Sequence, residues 1–146
     1  MSVDKNIVRG AKIELAKRSF WYFLKATYPS FYQEDRPHLK ILAEALQETY
    51  ESKDRKRLMI NMPPRHGKSF TLINFCQWVL GKDNANKVIS VSYNESLSSR
   101  FSKGVKEQIE TANIDENKIT FQDVFPETKV KHGDSSVSMW SLDGQF

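Results

Sequence analysis

The sequence predicts an α/β protein in which a parallel sheet is flanked by helices. Two short apolar runs, 58–62 and 87–93, have the length of strands, and the second is rich in β-branched residues. Segments 68–80 and 95–111 are longer and have helical spacing. The alternation of strand and helix indicates βαβ units, because parallel strands require a crossover connection between them.

The first third of the chain is predicted to be helical. Apolar residues recur at near-helical spacing through 5–28, and Pro29 with the polar cluster 30–36 ends this helix. Pro37 can open a second helix, because its missing N–H would be unpaired at that position anyway. We therefore expect one domain, with a helical lead-in over 1–56 and an α/β core over 57–146.

Capping and turn residues set the remaining boundaries. Gly81 is expected to cap the helix over 68–80, and Asn94 is expected to cap the helix that comes after it. Residues 119–125 form a short packed element before Pro126. Val130 and 137–142 suggest a hairpin-like pair around Gly133-Asp134.

The composition is that of an ordinary globular protein. The 146 residues carry a formal charge of +4, with 39% hydrophobic and 27% charged residues, which argues against a disordered chain. The mild basicity permits a nucleic-acid partner but also fits a lysine-rich solvated surface. The single cysteine, Cys76, suggests a reducing compartment, and the three widely spaced histidines predict no structural zinc.

Hydropathy along the chain predicts a cytoplasmic protein with no membrane partner. No apolar run approaches the roughly 18 residues that suggest a membrane span. The N-terminal residues also lack the apolar stretch of a signal peptide.

The segment Met62–Ser69, MPPRHGKS, carries the strongest functional signal. It lies between a predicted strand and a predicted helix, where the unpaired N–H groups of a helix start attract anions. Gly67 would let the backbone approach phosphates, Lys68 would reach the β- and γ-phosphates, and the Ser69 hydroxyl would bind Mg²⁺. The pattern therefore predicts a phosphate-binding loop.

This loop departs from the common pattern G-x-x-x-x-G-K-[ST]. Met62 stands where that pattern has glycine, and Pro63 and Pro64 cannot donate N–H bonds. The amides of Arg65 through Ser69 must then form the anion site, and the Arg65 side chain adds a cation that can bind phosphate bidentately. The alternative is a charged helix start that binds nothing.

The stretch LMINMPPRHGKS resembles the variant Walker A region of phage terminase large subunits, the motors that package viral DNA. VISVSYNESLSSRFSKGVKEQI resembles the next strand and helix of that family, and FPETKV and MWSL resemble the segments after that helix. The similarity covers residues 15–146, and the loop is its most specific part.

The resemblance implies a RecA-like P-loop ATPase domain that uses ATP and Mg²⁺ to drive double-stranded DNA into a capsid. The implied partners are the terminase small subunit, the portal of the procapsid and further copies in a ring, in the cytoplasm of an infected or lysogenic bacterium. Arg65 and Lys68 correspond to catalytic positions and Ser69 to the magnesium ligand. The implied nucleotide contacts are Pro64, Arg65, His66, Gly67, Lys68, Ser69 and Phe70.

The acidic residues that an ATPase needs are not evident. Hydrolysis requires a carboxylate for Mg²⁺ and another that activates water. Asn94-Glu95 comes after an apolar run, but that run lies directly after the predicted helix of the loop, where the resembled family has a different strand. Asp143 is a weaker candidate. We expect the Walker B strand beyond Phe146, no nuclease domain within this chain, and negligible hydrolysis by this chain alone. A helicase-like NTPase and a non-hydrolysing terminase remnant stay open as alternatives.

Other residues have both a functional and a structural interpretation. His38 could read adenine or face solvent at a helix start. Tyr32, from an aromatic-rich segment, could stack on a base or belong to the core. Arg100 could complete a neighbouring subunit's site, and the basic run 53–57 could touch DNA phosphates. A solvated surface is the alternative interpretation of both.

Overall fold

The architecture is helical. The computed structural model describes residues 4–54, 57–134 and 136–145, and these ranges contain no β-strand. The helices are α1 (Lys5–Arg18), α2 (Phe20–Thr27), α3 (Pro37–Glu51), α4 (Lys68–Lys82), α5 (Glu95–Glu110) and α6 (Phe121–Val124).

The predicted parallel sheet is wrong. Segments 58–62 and 87–92 run without a turn or a bend, but their backbone groups make no hydrogen bond to any described residue. Met59 and Ile89 are 86% and 87% exposed. A strand is stabilised by its cross-strand neighbours, and no described segment forms backbone hydrogen bonds with either run.

The core forms where α2 packs between α1, α3 and α4. The fully buried Trp78 of α4 anchors it, and its indole N–H donates to the carbonyl of Ala16 over 2.9 Å. Phe20 packs on the Trp78 ring at a centroid distance of 5.7 Å. Within the aromatic-rich segment 20–32, Phe20, Trp21, Phe23 and Tyr32 are buried, so most of its rings belong to the core.

The predicted helix over 5–28 is two helices. Ser19 adopts an extended conformation (φ −128°, ψ 125°) and separates α1 from α2. The side chain of Gln47, from α3, replaces the lost helical partner, because its Oε1 accepts the N–H of Phe20 over 2.8 Å. This tertiary contact is what the local periodicity could not reveal.

The carboxylate of Asp123 connects the last helix, α6, to the first helix, α1. Asp123 of α6 accepts hydrogen bonds from the backbone and side chain of Thr120 and from Asn113, and it forms an ion pair of 2.8 Å with Arg9 of α1. Burial acts to raise the pKa of Asp123, but the hydrogen bonds and the Arg9 charge outweigh burial and lower it.

The other boundary predictions have mixed outcomes. Asn94 caps α5 as expected, since its side chain accepts the N–H of Leu97. Gly81 is not a cap, because α4 continues to Lys82 and Asp83 is its C-cap. The hairpin-like pair is reduced to one antiparallel bridge between Val130 and Leu142. No helix in the described ranges is long and apolar enough to cross a membrane.

Candidate functional site

The loop before α4 has an unusual backbone. Gly67 is the N-cap of α4 with φ 86°, and Arg65 has φ 62°, the one positive φ at a non-glycine residue in the described ranges. Positive φ is costly for a side chain such as that of arginine and typically marks functional loops. The sequence singled out this segment, and the structure places it at a helix start as predicted.

The first amides of α4 are free to bind an anion. The N–H of Thr71 donates to the carbonyl of Gly67 over 2.9 Å, whereas the N–H groups of Lys68, Ser69 and Phe70 meet no acceptor in the described structure. Glycine offers no capping side chain, and the first turn of α4 holds no acidic residue. The helix start therefore presents unpaired donors and a partial positive charge to solvent.

A histidine stiffens the loop. The imidazole Nδ1 of His66 lies 2.8 Å from the carbonyl oxygen of Pro64. A carbonyl can only accept, so Nδ1 carries the proton and Nε2 points elsewhere. The contact between His66 and Pro64 therefore helps to fix the conformation of the loop. The imidazole is exposed and stays available for a ligand.

The start of α3 packs against this loop. The rings of His38 and His66 lie 5.9 Å apart in an edge-on arrangement. A Cβ added to Gly67 would come within 3.0 Å of the side chains of Leu39 and Phe31. The structure therefore brings His38 to the loop, and Gly67 is required both by its φ and by its close neighbours.

Positive charge dominates the loop surface. Arg65 is exposed and Lys68 is partly exposed, and neither forms an ion pair with a described carboxylate. Arg36 lies nearby in the chain segment that packs on the loop, and its guanidinium sits 5.0 Å from the ring centre of Phe31. Two unpaired cations beside free amides form an electropositive site for a phosphate group.

A buried polar network supports the first turn of α4. The Tyr32 hydroxyl is 3.0 Å from the Thr71 hydroxyl and also accepts from Asn74. The network continues from Asn74 through Gln77 to Gln108 of α5. Burial raises the pKa of Tyr32 to about 12, so its phenol is neutral and acts as a structural link.

This network corrects the expectation that Tyr32 could stack on a base. Tyr32 is 1% exposed and its ring lies parallel to that of Phe70, with centroids 6.1 Å apart. Phe70 itself packs between Tyr28 and Phe31. Any contact of Phe70 with a nucleotide would therefore involve its backbone N–H.

The remaining candidates lie away from these contacts. Glu95 and Arg100 are exposed on α5, and Asp143 is exposed near the C-terminal end. In the basic run 53–57, Arg55 and Lys56 lie outside the described residues. Cys76 is partly buried, and burial raises the pKa of its thiol to about 12, which makes it unreactive.

On the α3 side of the site, the sequence pointed to His38 alone. Phe31, Arg36 and Leu39 carry no motif, and their proximity to the loop is a tertiary contact. His38 and His66 are far apart in sequence, and their contact is a tertiary one that the sequence did not predict. Among the described residues, no group of three or more His, Cys, Asp or Glu side chains is arranged to hold a metal ion.

The arrangement can bind a phosphate chain. It also offers the hydroxyl of Ser69 to a cation that accompanies the phosphates.

We compared the chain with protein-family models, with curated proteins and with solved structures, and found no match to any of them.

Proposed function

We propose that this chain binds the phosphates of ATP at the start of α4. The observation that carries the proposal is the set of unpaired N–H groups of Lys68, Ser69 and Phe70, which come after two residues with positive φ. Backbone donors at a helix start are a general solution to phosphate binding. The adjacent Arg65 and Lys68 side chains add two cations that no described carboxylate neutralises.

Each residue of the site has a distinct proposed role. Lys68 would neutralise the terminal phosphates, and Arg65 would bind a phosphate oxygen pair through its planar guanidinium. Ser69 would offer its hydroxyl to the Mg²⁺ that accompanies ATP. These residues fit the phosphates of ATP, because the first turn of α4 carries no acidic side chain that would repel a phosphate.

The α3 side of the site suggests where the nucleoside lies. His38 is next to His66, and an imidazole edge can donate to or accept from a base or ribose. In this proposal His38 contacts the nucleoside while the loop holds the phosphates.

The wider role that we propose is the ATP-binding part of a viral DNA-packaging motor, with Arg65 and Lys68 acting on the phosphates during hydrolysis. Support for this role comes from the resemblance of LMINMPPRHGKS to terminase large subunits. Double-stranded DNA, the small subunit, the portal and a ring of copies are its proposed partners. We also propose that this chain alone hydrolyses ATP negligibly, since no Asp-Glu pair comes after a suitable apolar run in its sequence.

Thermal unfolding with and without ligand tests the binding proposal. A ligand that binds only the folded state stabilises it by about 2.7 kcal/mol at one hundred times its Kd. We expect Mg-ATP to raise the Tm of the wild type by several degrees and to leave Lys68→Ala unchanged. Inorganic tripolyphosphate should give part of the same shift, because the loop recognises phosphate.

Lys129→Ala is the matched control, since Lys129 is also exposed but lies far from the loop in sequence. It should respond to Mg-ATP as the wild type does. Equal shifts in the wild type and in Lys68→Ala would show that the loop does not bind the nucleotide.

A further inference from the structure

A pair of histidines lies beside the loop before α4. His66 belongs to the loop and His38 to the first turn of α3, and their rings lie 5.9 Å apart with an interplanar angle of 66°. Both residues are exposed. The proposed function uses His38 for the nucleoside but gives His66 no chemical role of its own.

The hydrogen bond of His66 decides which of its ring nitrogens can gain a proton. Nδ1 lies 2.8 Å from the carbonyl oxygen of Pro64, and this bond keeps a proton on Nδ1. Nε2 is therefore the nitrogen with the free lone pair in the neutral ring. Any proton that His66 gains must bind at Nε2, and the ring then carries a positive charge and two N–H donors.

The charged groups around the histidine pair come from both sides of the site. The loop and the first turn of α4 contribute Arg65 and Lys68. The chain segments on the α3 side contribute Asp35, Arg36 and two ion pairs, Lys25–Glu34 and Lys40–Glu44. In the part of the chain that the structure describes, neither imidazole forms an ion pair with a carboxylate. A positive charge on His66 would therefore gain its ion-pair partner when an anion binds.

We propose that His66 takes up a proton at Nε2 when the loop binds the phosphates of ATP, so that its imidazolium becomes a third cation of the site beside Arg65 and Lys68. The proton comes from solvent, and no covalent bond of the nucleotide changes. Bound ATP brings several negative charges to the loop, and a nearby opposite charge favours the charged form of an imidazole. Histidine suits this role because its charge ordinarily changes between about pH 5 and 8. The inference rests on the proposed binding of ATP at the start of α4.

Proton uptake makes the nucleotide affinity depend on pH. The complex holds more protons than the free chain, so the affinity rises as the pH falls. The slope of its logarithm against pH equals the number of protons taken up, with a negative sign. A mean uptake of about half a proton between pH 8 and pH 6 therefore corresponds to an increase in affinity of about tenfold.

Calorimetric titration of the chain with Mg-ATP counts these protons directly. The titration is run in two phosphate-free buffers of different ionisation enthalpy, MOPS and imidazole, since the difference in heat gives the number of protons exchanged. At pH 7 we expect the wild type to take up about half a proton per bound nucleotide. His66→Asn should take up almost none, because the amide N–H of asparagine can keep the hydrogen bond to Pro64 but the amide cannot gain a proton. The affinity of this variant should differ by no more than about twofold between pH 8 and pH 6.

Two further variants locate the proton. His132→Asn is the matched control, because His132 is also exposed but lies outside α3, α4 and the loop between them. It should take up as many protons as the wild type. His38→Asn should bind Mg-ATP more weakly, since His38 is proposed to contact the nucleoside, but it should still take up the proton.

The possible failures are distinguishable. Proton uptake that persists in His66→Asn, or that is lost only in His38→Asn, would reject His66 as the proton acceptor. A wild type that binds Mg-ATP with equal heat in both buffers and equal affinity at pH 8 and pH 6 would overturn this inference and leave the proposed function intact. Absence of binding at both pH values would overturn the proposed function, and this inference with it.

Discussion

Arg65 and Gly67 decide the shape of the loop before α4, where we propose that phosphate binds. Both have positive φ, but only glycine adopts that region at low cost. The chain therefore tolerates strain at Arg65, which is most simply explained by a requirement for its guanidinium. Glycine at the same position would relieve the strain and remove the cation.

Arg65→Gly separates these two effects. We expect its free energy of unfolding to stay equal to that of the wild type or to rise by up to about 1 kcal/mol, because backbone strain is relieved. Its affinity for Mg-ATP should fall about tenfold or more, since a charge-assisted hydrogen bond contributes roughly 1.5–3 kcal/mol. Chemical denaturation and calorimetric titration measure the two quantities.

Arg65→Lys refines the same assignment. A lysine keeps the charge but cannot reproduce the bidentate fork, so it should recover nucleotide affinity poorly, and it should also recover turnover poorly in the motor that we propose. If Arg65 merely holds the loop in shape, Arg65→Gly would instead lower stability and affinity together.

At the level of single residues, sequence reasoning located one half of the site. The motif identified Arg65, Gly67, Lys68 and Ser69, because phosphate loops have a local pattern. That these residues bind ATP stays a prediction. Phe31 and Leu39, which pack on Gly67, have no such pattern, since their position depends on how α3 docks beside α4.

Helices were the elements that could be predicted well. The starts of α3 at Pro37 and α4 at Lys68 and the Asn94 cap of α5 were predicted correctly. Capping residues and prolines affect the backbone next to them, so the helix starts that they set can be predicted from the sequence. The wrong boundaries are those that a tertiary contact decides, such as the break at Ser19, where Gln47 takes the place of a helical partner.

Gly81 is the clearest of these errors, and it leads to a paired prediction. Gly81 lies inside α4, and an added Cβ would come closer than 3.0 Å to the ring of Phe125. Gly10 lies inside α1 with nothing within 4 Å of an added Cβ. Both positions are helical, so intrinsic propensity alone favours alanine at each by roughly 1 kcal/mol.

We expect the two alanine variants to shift stability in opposite directions. Gly10→Ala should stabilise the fold by up to about 1 kcal/mol. Gly81→Ala should destabilise it by about 1–3 kcal/mol, because the extra methyl overpacks against Phe125. Urea denaturation of both variants measures the difference. Stabilisation by Gly81→Ala would mean that Phe125 does not pack on α4 as described.

For the whole molecule, the sequence predicted the wrong fold class. The apolar runs 58–62 and 87–93 have strand composition, but a strand exists only when another segment pairs with it. The described residues supply no such partner, and the large apolar side chains of Met59, Ile89 and Val91 remain exposed. The burial that stabilises the chain comes instead from the packing of α2 on α1, α3 and α4.

The helical body has a direct consequence for the site. The Tyr32, Thr71 and Asn74 network supports the first turn of α4 behind the loop. Leu39 and Phe31 pack against Gly67 within the loop. Its support therefore comes from helices and from the turn before α3. The free amides at the start of α4 keep their orientation through this support, and they are the basis of the proposed function.

Amide NMR of the ¹⁵N-labelled chain during titration with Mg-ATP tests this claim most directly. We predict that the largest chemical-shift changes fall on the N–H groups of His66 to Phe70, and that they saturate with the affinity measured by calorimetry. The same titration of Lys68→Ala should leave these signals in place. Shifts confined to other parts of the chain, or no saturable change in the wild type, would contradict phosphate binding at the start of α4.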